Sequence, residues 1–261
     1  MIRSLYTAAT GMLAQQLQID TTSHNIANVN TLGFKKNRAE FADLLYQAQT
    51  YAGSQTSLNT KSPTGIEVGL GVRPGAISKI FLQGSPKETG NDLDVMITGN
   101  GFFQVQLPDG SISYSRNGAF KLDAEGSVVN ADGYRLIPEI TVPAGSSKVD
   151  ISVDGIVSVQ GPDKAVVQVG QIELAAFINP AGLHSMGDNL YIPTAASGEP
   201  VIGFGGSNGF GELRHGFVEM SNVQLVEEMT DLITGQRAYE ANSKAITTSD
   251  EMLGIVNGLK R

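Results

Sequence analysis

A chain of 261 residues with 17% charged and 41% hydrophobic side chains is long enough for one large domain or two modest ones, and too apolar to be disordered throughout. Its net charge of −8 and pI near 4.9 argue against nucleic-acid binding and against docking on anionic membranes, since both need a basic footprint. The absence of cysteine removes disulfides, thiolate metal sites and cysteine nucleophiles, and without an apolar run of about 18 residues no helix is expected to insert in a bilayer.

Residues 1 to about 28 read as a single helix. Ile2, Leu5, Ala9, Met12, Gln16, Ile19, Ser23 and Ile26 follow at alternating steps of three and four, which holds one stripe of a helix toward a partner. Leu5, Met12, Ile19 and Ile26 keep strict sevens, while the alternate positions decay to Gln16 and Ser23. The opening run Arg3 to Gly11 is too polar for a secretory core, so no cleaved signal peptide is expected. The helix should stop in the asparagine-rich run Asn25 to Asn30, with Gly33 just beyond.

Residues 34 to 50, with Phe34, Phe41, Leu44, Leu45 and Tyr46, read as a short helix or an extended arm. The polar stretch from 47 to 65 reads as an irregular, exposed loop. Beyond Ile66 short apolar runs alternate with turn residues. Asp109-Gly110, Asn117-Gly118, Glu125-Gly126 and Asp132-Gly133 punctuate Gly101 to Pro138 at regular intervals, and Asp-Gly and Asn-Gly suit hairpin turns. Strands are expected at Phe102 to Leu107, Ala119 to Leu122, Tyr134 to Ile137, Val149 to Val153, Ile156 to Val159, within Val166 to Ile178, and at Asn189 to Ile192. Such spacing predicts an antiparallel all-β domain, closed by a flexible glycine loop from Gly203 to Gly211.

A second helix follows. Leu225, Met229, Leu232, Gln236, Tyr239, Ser243, Ile246, Asp250 and Leu253 repeat the three-four step. Ser221 and Gln224 suggest a capping box, Met220 and Leu225 a hydrophobic staple, and Lys260 and Arg261 sit where the helix dipole favours cations. The polar interruptions Gln16, Ser23, Gln236, Ser243 and Asp250 suit either a register device, a watery channel or a partly exposed seam.

The chemistry-bearing motifs are weak. Gly205-Gly206-Ser207-Asn208-Gly209 matches the nucleophile-elbow pattern, which points to a serine hydrolase using Ser207, but an elbow needs a strand before it, a helix after it, and a later acid and histidine. His24, His184 and His215 lack ligand spacing, and the acidic turns lack the calcium-loop pattern. No catalytic residue, metal ligand or cofactor site is expected on these grounds.

Three separated segments resemble one family. Asn25, Ile26, Ala27, Asn28, Val29, Asn30, Thr31, Gly33, Phe34 and Lys35 are similar to the signature of the bacterial flagellar rod and hook proteins. Gly99 to Gly110, followed by Tyr114-Ser115-Arg116-Asn117-Gly118 and Phe120, resembles that family's β region. Glu219 to Leu253, with Ser221-Asn222-Val223, Gln236 to Glu240 and Asn242, resembles its C-terminal helix. The length and the string Phe34 to Gln47 resemble the distal-rod branch most, with proximal-rod and hook-type members as the alternative.

The resemblance implies a non-enzymatic structural subunit without cofactors, exported unfolded through the flagellar type III apparatus. It would polymerise helically with itself, meet proximal rod and hook-side axial proteins, and turn inside the P- and L-rings as the rod crosses the periplasm to the outer membrane. The expected fold is α+β: terminal heptad helices forming a coiled-coil-like core domain around a central antiparallel all-β domain. The expected divisions are a core helix over 1–33, an arm and polar loop over 34–70, a β domain over 71–217 and a core helix over 218–261. The expected assembly interface comprises Leu5, Met12, Ile19, Asn25, Ile26, Asn28, Phe34, Leu225, Met229, Leu232, Tyr239, Ile246 and Leu253.

Overall fold

A computed structural model of the chain describes residues 2–57, 60–146, 148–161, 165–207 and 209–258. Asn208, Lys260, Arg261 and the side chain of Ile2 therefore lie outside the described residues. The fold is α+β and divides into two compact units. One comprises Met1–Ile26, Asn37–Ser78 and Gln224–Arg261; the other comprises Ala27–Lys36 and Lys79–Val223.

The first unit holds the two long helices, α1 (Ile2–Ala27) and α2 (Leu225–Gly258). They run antiparallel. A Cβ added to Gly11 would lie 2.9 Å from the Asn242 amide nitrogen, one added to Gly235 would lie 3.2 Å from Ile19, and Asn25 Nδ2 donates to Glu228 at 3.1 Å. Leu5, Met12, Ile19 and Ile26 are half-buried, as are Leu232, Ile246 and Leu253.

The alternate positions of the stripe differ from expectation by one residue. Ala8 and Thr22 are buried where Ala9 is half-buried and Ser23 exposed; Glu228, Gly235 and Ser249 are buried where Met229, Gln236 and Asp250 are exposed. Small and polar residues thus fill half of each facing stripe, and the alternation of large apolar side chains expected of a coiled coil is not what packs there.

The start of α2 also differs. Its first turn closes with the Glu228 N–H donating to the Gln224 carbonyl, while Ser221 Oγ accepts the Val223 N–H one turn earlier. Ser221 caps the preceding bend instead of the helix.

The polar stretch forms strands. Tyr46–Thr50 pairs antiparallel with Ile66–Gly69, Gln55–Ser57 pairs with Thr60–Lys61, and Asn37–Asp43 pairs with Val72–Lys79. A two-stranded ribbon satisfies its backbone by pairing and needs no apolar face for that, so low hydrophobicity did not prevent it. Exposure was anticipated for 47 to 65, and Tyr51 within it is exposed.

The second unit is a β structure around a sheet of nine strands. Phe102–Gln106 lies near its middle, flanked by Ile112–Ser115 and by Arg135–Ile137, and also pairs with Glu173–Ala176. Adjacent residues of a strand point to opposite faces. Accordingly Phe103, Leu174 and Leu190 join the aliphatic core with Val105, Leu136 and Ile172, whereas Phe102, Ala175 and Tyr191 join an aromatic cluster with Tyr114 and Phe177. A three-stranded sheet, Lys148–Ile151, Ile156–Gln160 and Val166–Gln171, adds Val149, Val157 and Val159 to the aliphatic core.

Two ribbons bring the beginning and end of this unit together: Val95–Thr98 with Glu212–His215, and Pro86–Glu88 with Phe217–Glu219. Gly110, Gly126 and Gly133 have positive φ, as their turns require. Asn117-Gly118 is not such a turn; a Cβ on Gly118 would fall on the Val95 carbonyl and 2.9 Å from the Phe103 ring, so glycine is needed there for close approach. The glycine loop begins after Phe204 instead of at Gly203, because Val201–Phe204 is a strand paired with Glu173–Ala176.

Candidate assembly surface and its buried anchor

In the second unit, the three segments that carry the family resemblance meet at one buried charge cluster. Glu219 ends the strand Phe217–Glu219, and its Oε1 accepts from Lys35 Nζ at 2.5 Å and from the Gly84 N–H at 2.8 Å. Arg116 Nε lies 3.1 Å from Oε2, within ion-pair reach but off the line of a hydrogen bond. The Arg116 guanidinium also donates to the carbonyls of Gly101 and Gly99, at 2.6 and 2.7 Å, and Lys35 donates to the Leu82 carbonyl at 2.7 Å. All three side chains are buried, with Lys35 at 0% exposure.

Two cations therefore share one carboxylate. Burial pulls the Lys35 ammonium below the ordinary lysine range; Glu219 opposes this and Arg116 reinforces it. Burial lowers the Arg116 guanidinium too, against the pull of Glu219.

Backbone contacts extend the anchor along the N-terminal motif. Gly33 N–H donates to the Glu219 carbonyl at 2.8 Å, Lys36 N–H to Asn222 Oδ1 at 2.7 Å, and Asn189 Nδ2 to the Leu32 carbonyl at 2.9 Å. Asn222 Nδ2 donates in turn to the Ile80 and Leu82 carbonyls. Gly33 has φ +69°, and a Cβ there would lie 2.7 Å from the Asn117 nitrogen, so Leu32-Gly33-Phe34-Lys35 admits no larger residue at its second position. Glu219, Asn189 and Gly84 were not singled out in the sequence; nothing local marks them, because their partners lie far along the chain.

In the helical unit, Asn25 is buried and plays a comparable part. It exchanges hydrogen bonds with the Asn37 backbone, at 2.8 and 2.9 Å, and donates to Glu228. Of the expected interface residues, Asn25 and Phe34 are buried, Asn28 is half-buried with the Leu5 and Leu232 sets, and Leu225, Met229 and Tyr239 are exposed. The structure thus places Asn25 and Phe34 within the units' own packing, and leaves the N-terminal half of α2 with large apolar side chains facing outward.

Ser207 does not sit on an elbow. Its hydroxyl donates to the Phe204 carbonyl at 2.7 Å, and the turn leads into the strand Glu212–His215 where an elbow needs a helix. His215 Nε2 lies 2.9 Å from the Asp92 carbonyl oxygen and its Nδ1 lies 3.5 Å from Asp150. Among the described residues no group of three or more His, Cys, Asp or Glu side chains is arranged to hold a metal ion.

Comparison with known proteins gives a consistent result along the chain. Residues 5–35 match the family described as flagella basal body rod protein, residues 96–159 the flagellar hook protein FlgE/F/G D1 domain, and residues 214–259 the flagellar basal body rod FlgEFG protein C-terminal family. The chain is 49% identical to the flagellar basal-body rod protein FlgG of Borreliella burgdorferi, with 100% of both chains covered. It is 49% identical to that of Buchnera aphidicola (subsp. Schizaphis graminum) over 97% of this chain and 98% of the relative, and 47% identical to that of Agrobacterium fabrum over 98% of each.

Proposed function

The chain belongs to the flagellar basal-body rod protein FlgG family and is a structural axial subunit of the rod, and on that premise we propose that it builds the distal rod by helical polymerisation. The polymer is the drive shaft between motor and hook. Its axial neighbours are proximal rod and hook-side proteins, the P- and L-rings surround it, and the chain reaches its place through the flagellar type III apparatus.

One observation supports assembly through the terminal helices: the large side chains Leu225, Met229 and Tyr239, which lie on the three-four step of α2, are exposed. Burying a side chain of this size contributes about 1.5–3 kcal/mol, and a single copy leaves much of that unrealised. The β unit, by contrast, carries its own core on both faces of its main sheet. We therefore read the β unit as self-sufficient and the helical unit as completed by neighbouring copies.

The test is electron microscopy of basal bodies from a strain lacking the gene, beside the same strain with the gene restored. Truncated rods without hooks, and loss of swimming, are expected. Complete rods with normal swimming would overturn the reading.

A further inference from the structure

The aromatic face of the main sheet carries a hollow. Phe81, Phe102 and Phe177 line a cavity of about 220 Å³, together with Ile178, the segment Gly99-Asn100-Gly101 and Arg116. The rings fix one another edge to face, with 5.5 Å between the centroids of Phe81 and Phe102 and 5.7 Å between those of Phe102 and Phe177. A cavity of about 150 Å³ holds benzene, whereas sites for drug-sized ligands measure roughly 300–1,000 Å³. The space therefore suits one large apolar side chain with a small polar group attached.

Charge decides which polar group. Arg116 and Lys35 face the single carboxylate of Glu219, so the buried cluster that Arg116 shares with the cavity holds one positive charge in excess. Lys79, half-buried, lies 5.8 Å from the ring centres of Phe34 and Tyr191, and among the described residues no carboxylate is within ion-pair reach of it. Tyr191 packs in turn on Phe81. Uncompensated buried charge is costly, and an anion in the cavity relieves it. Arg116 has donors for one: each terminal nitrogen carries two N–H groups and uses one, on the carbonyls of Gly101 and Gly99.

The apolar surface continues beyond the cavity. Phe102, Ala175 and Ile202 are neighbours across three strands and so share a face; Ile202, on the outer strand, is 53% exposed, and Ile178 is 89% exposed. A ligand that covers them is longer than the cavity. We propose that this site binds the C-terminal residue of a partner polypeptide, with its large apolar side chain among the three phenylalanines, its free carboxylate on Arg116 and its preceding residues along Ile178 and Ile202. Guanidinium and carboxylate match in shape as well as charge. The site goes beyond the rod-subunit reading and does not rest on it, because every residue named belongs to the β unit.

The test is an NMR titration of the isotope-labelled full chain, kept unpolymerised, with three probes: N-acetyl-phenylalanine, its neutral amide, and an acetylated Ala-Val-Phe tripeptide with a free carboxylate. The two acids are expected to shift the amide resonances of Gly101, Phe102 and Ile178, and the neutral amide to bind at least about tenfold more weakly than N-acetyl-phenylalanine. The tripeptide is expected to bind more tightly than the single residue. Ile178→Asp alters an exposed side chain, so it should leave the rest of the spectrum in place while weakening both acids about tenfold. No shift at these amides, or equal affinity for acid and amide, would overturn the carboxylate site. A tripeptide no tighter than the single residue would overturn the polypeptide ligand, and unchanged binding by Ile178→Asp would overturn the placement.

Discussion

Lys35 and Glu219 lie 184 positions apart and form an ion pair at 2.5 Å with both side chains buried. The pair ties the motif that follows α1 to the strand that precedes α2, so entry to and exit from the β unit share one anchor. Glu219 also faces Arg116, which makes it the only carboxylate among the three side chains of this cluster.

Replacing Glu219 should therefore be more damaging than replacing Lys35. Glu219→Gln leaves two buried cations facing a neutral amide, and breaking a buried pair by removing one partner typically costs about 3–5 kcal/mol. Lys35→Met leaves Glu219 with Arg116 and the Gly84 N–H, and should cost less. Urea unfolding of the two variants ranks them; an equal or reversed order would show that the cluster does not depend on its single carboxylate.

The same pair has a pH signature. The folded Lys35 ammonium has its affinity for protons lowered, first by burial, so between its folded value and the ordinary lysine value the unfolded chain binds more protons than the folded one. Stability from this group then rises with pH across that alkaline window and is lost as pH falls through the folded value. The native chain should gain stability relative to Lys35→Met on going up through the window. A relative loss would mean that attraction to Glu219 outweighs desolvation.

Asn25 is a second point of stress. Its amide meets both backbone groups of Asn37 as well as Glu228. Asn25→Ala leaves those groups in place without their buried partner, and each unsatisfied group costs about 1–3 kcal/mol. In the assembled rod, where the helices are packed, loss of helical signal at lower temperature with unchanged unfolding of the β unit is the expected outcome in circular dichroism.

How much of this was readable in the sequence depends on the reach of the signal. Both helices and the mostly β centre follow from local periodicity and from turns such as Asp109-Gly110 and Asp132-Gly133. The facing stripe of α2 was readable at Leu232 and Ile246, which are apolar, and unreadable at Glu228, Gly235 and Ser249, where hydrophobicity instead selects Met229. The Lys35–Glu219–Arg116 cluster had its members inside three recognisable segments, yet no local pattern says that they touch. Tyr46–Thr50 and Ile66–Gly69 escaped for another reason: their pairing is backbone-driven, and the polar side chains between them carry no alternation to read.

The ribbon from Gln47 to Gly65 belongs to the helical unit and not to the β unit. Deleting it should leave thermal unfolding of the β unit nearly unchanged while altering the curvature or stiffness of assembled rods. Straight rods of unchanged stiffness would count against a role in packing between copies.

Truncating the exposed seam should act on assembly alone. Tyr239→Ala is expected to weaken polymerisation by about 2–5 kcal/mol if the site becomes core-like between copies. The unfolding of the β unit should barely move, and sedimentation of wild-type and variant chains across a concentration series reads the difference.

The central claim, that the β unit stands alone while the helices are completed by neighbouring copies, is tested most directly by hydrogen exchange before and after polymerisation. Amides from Leu225 to Leu253 should exchange quickly in the free chain and become protected in the assembled rod, while those of Phe102–Gln106 stay protected in both. Strong protection of Leu225 to Leu253 in the free chain would contradict it.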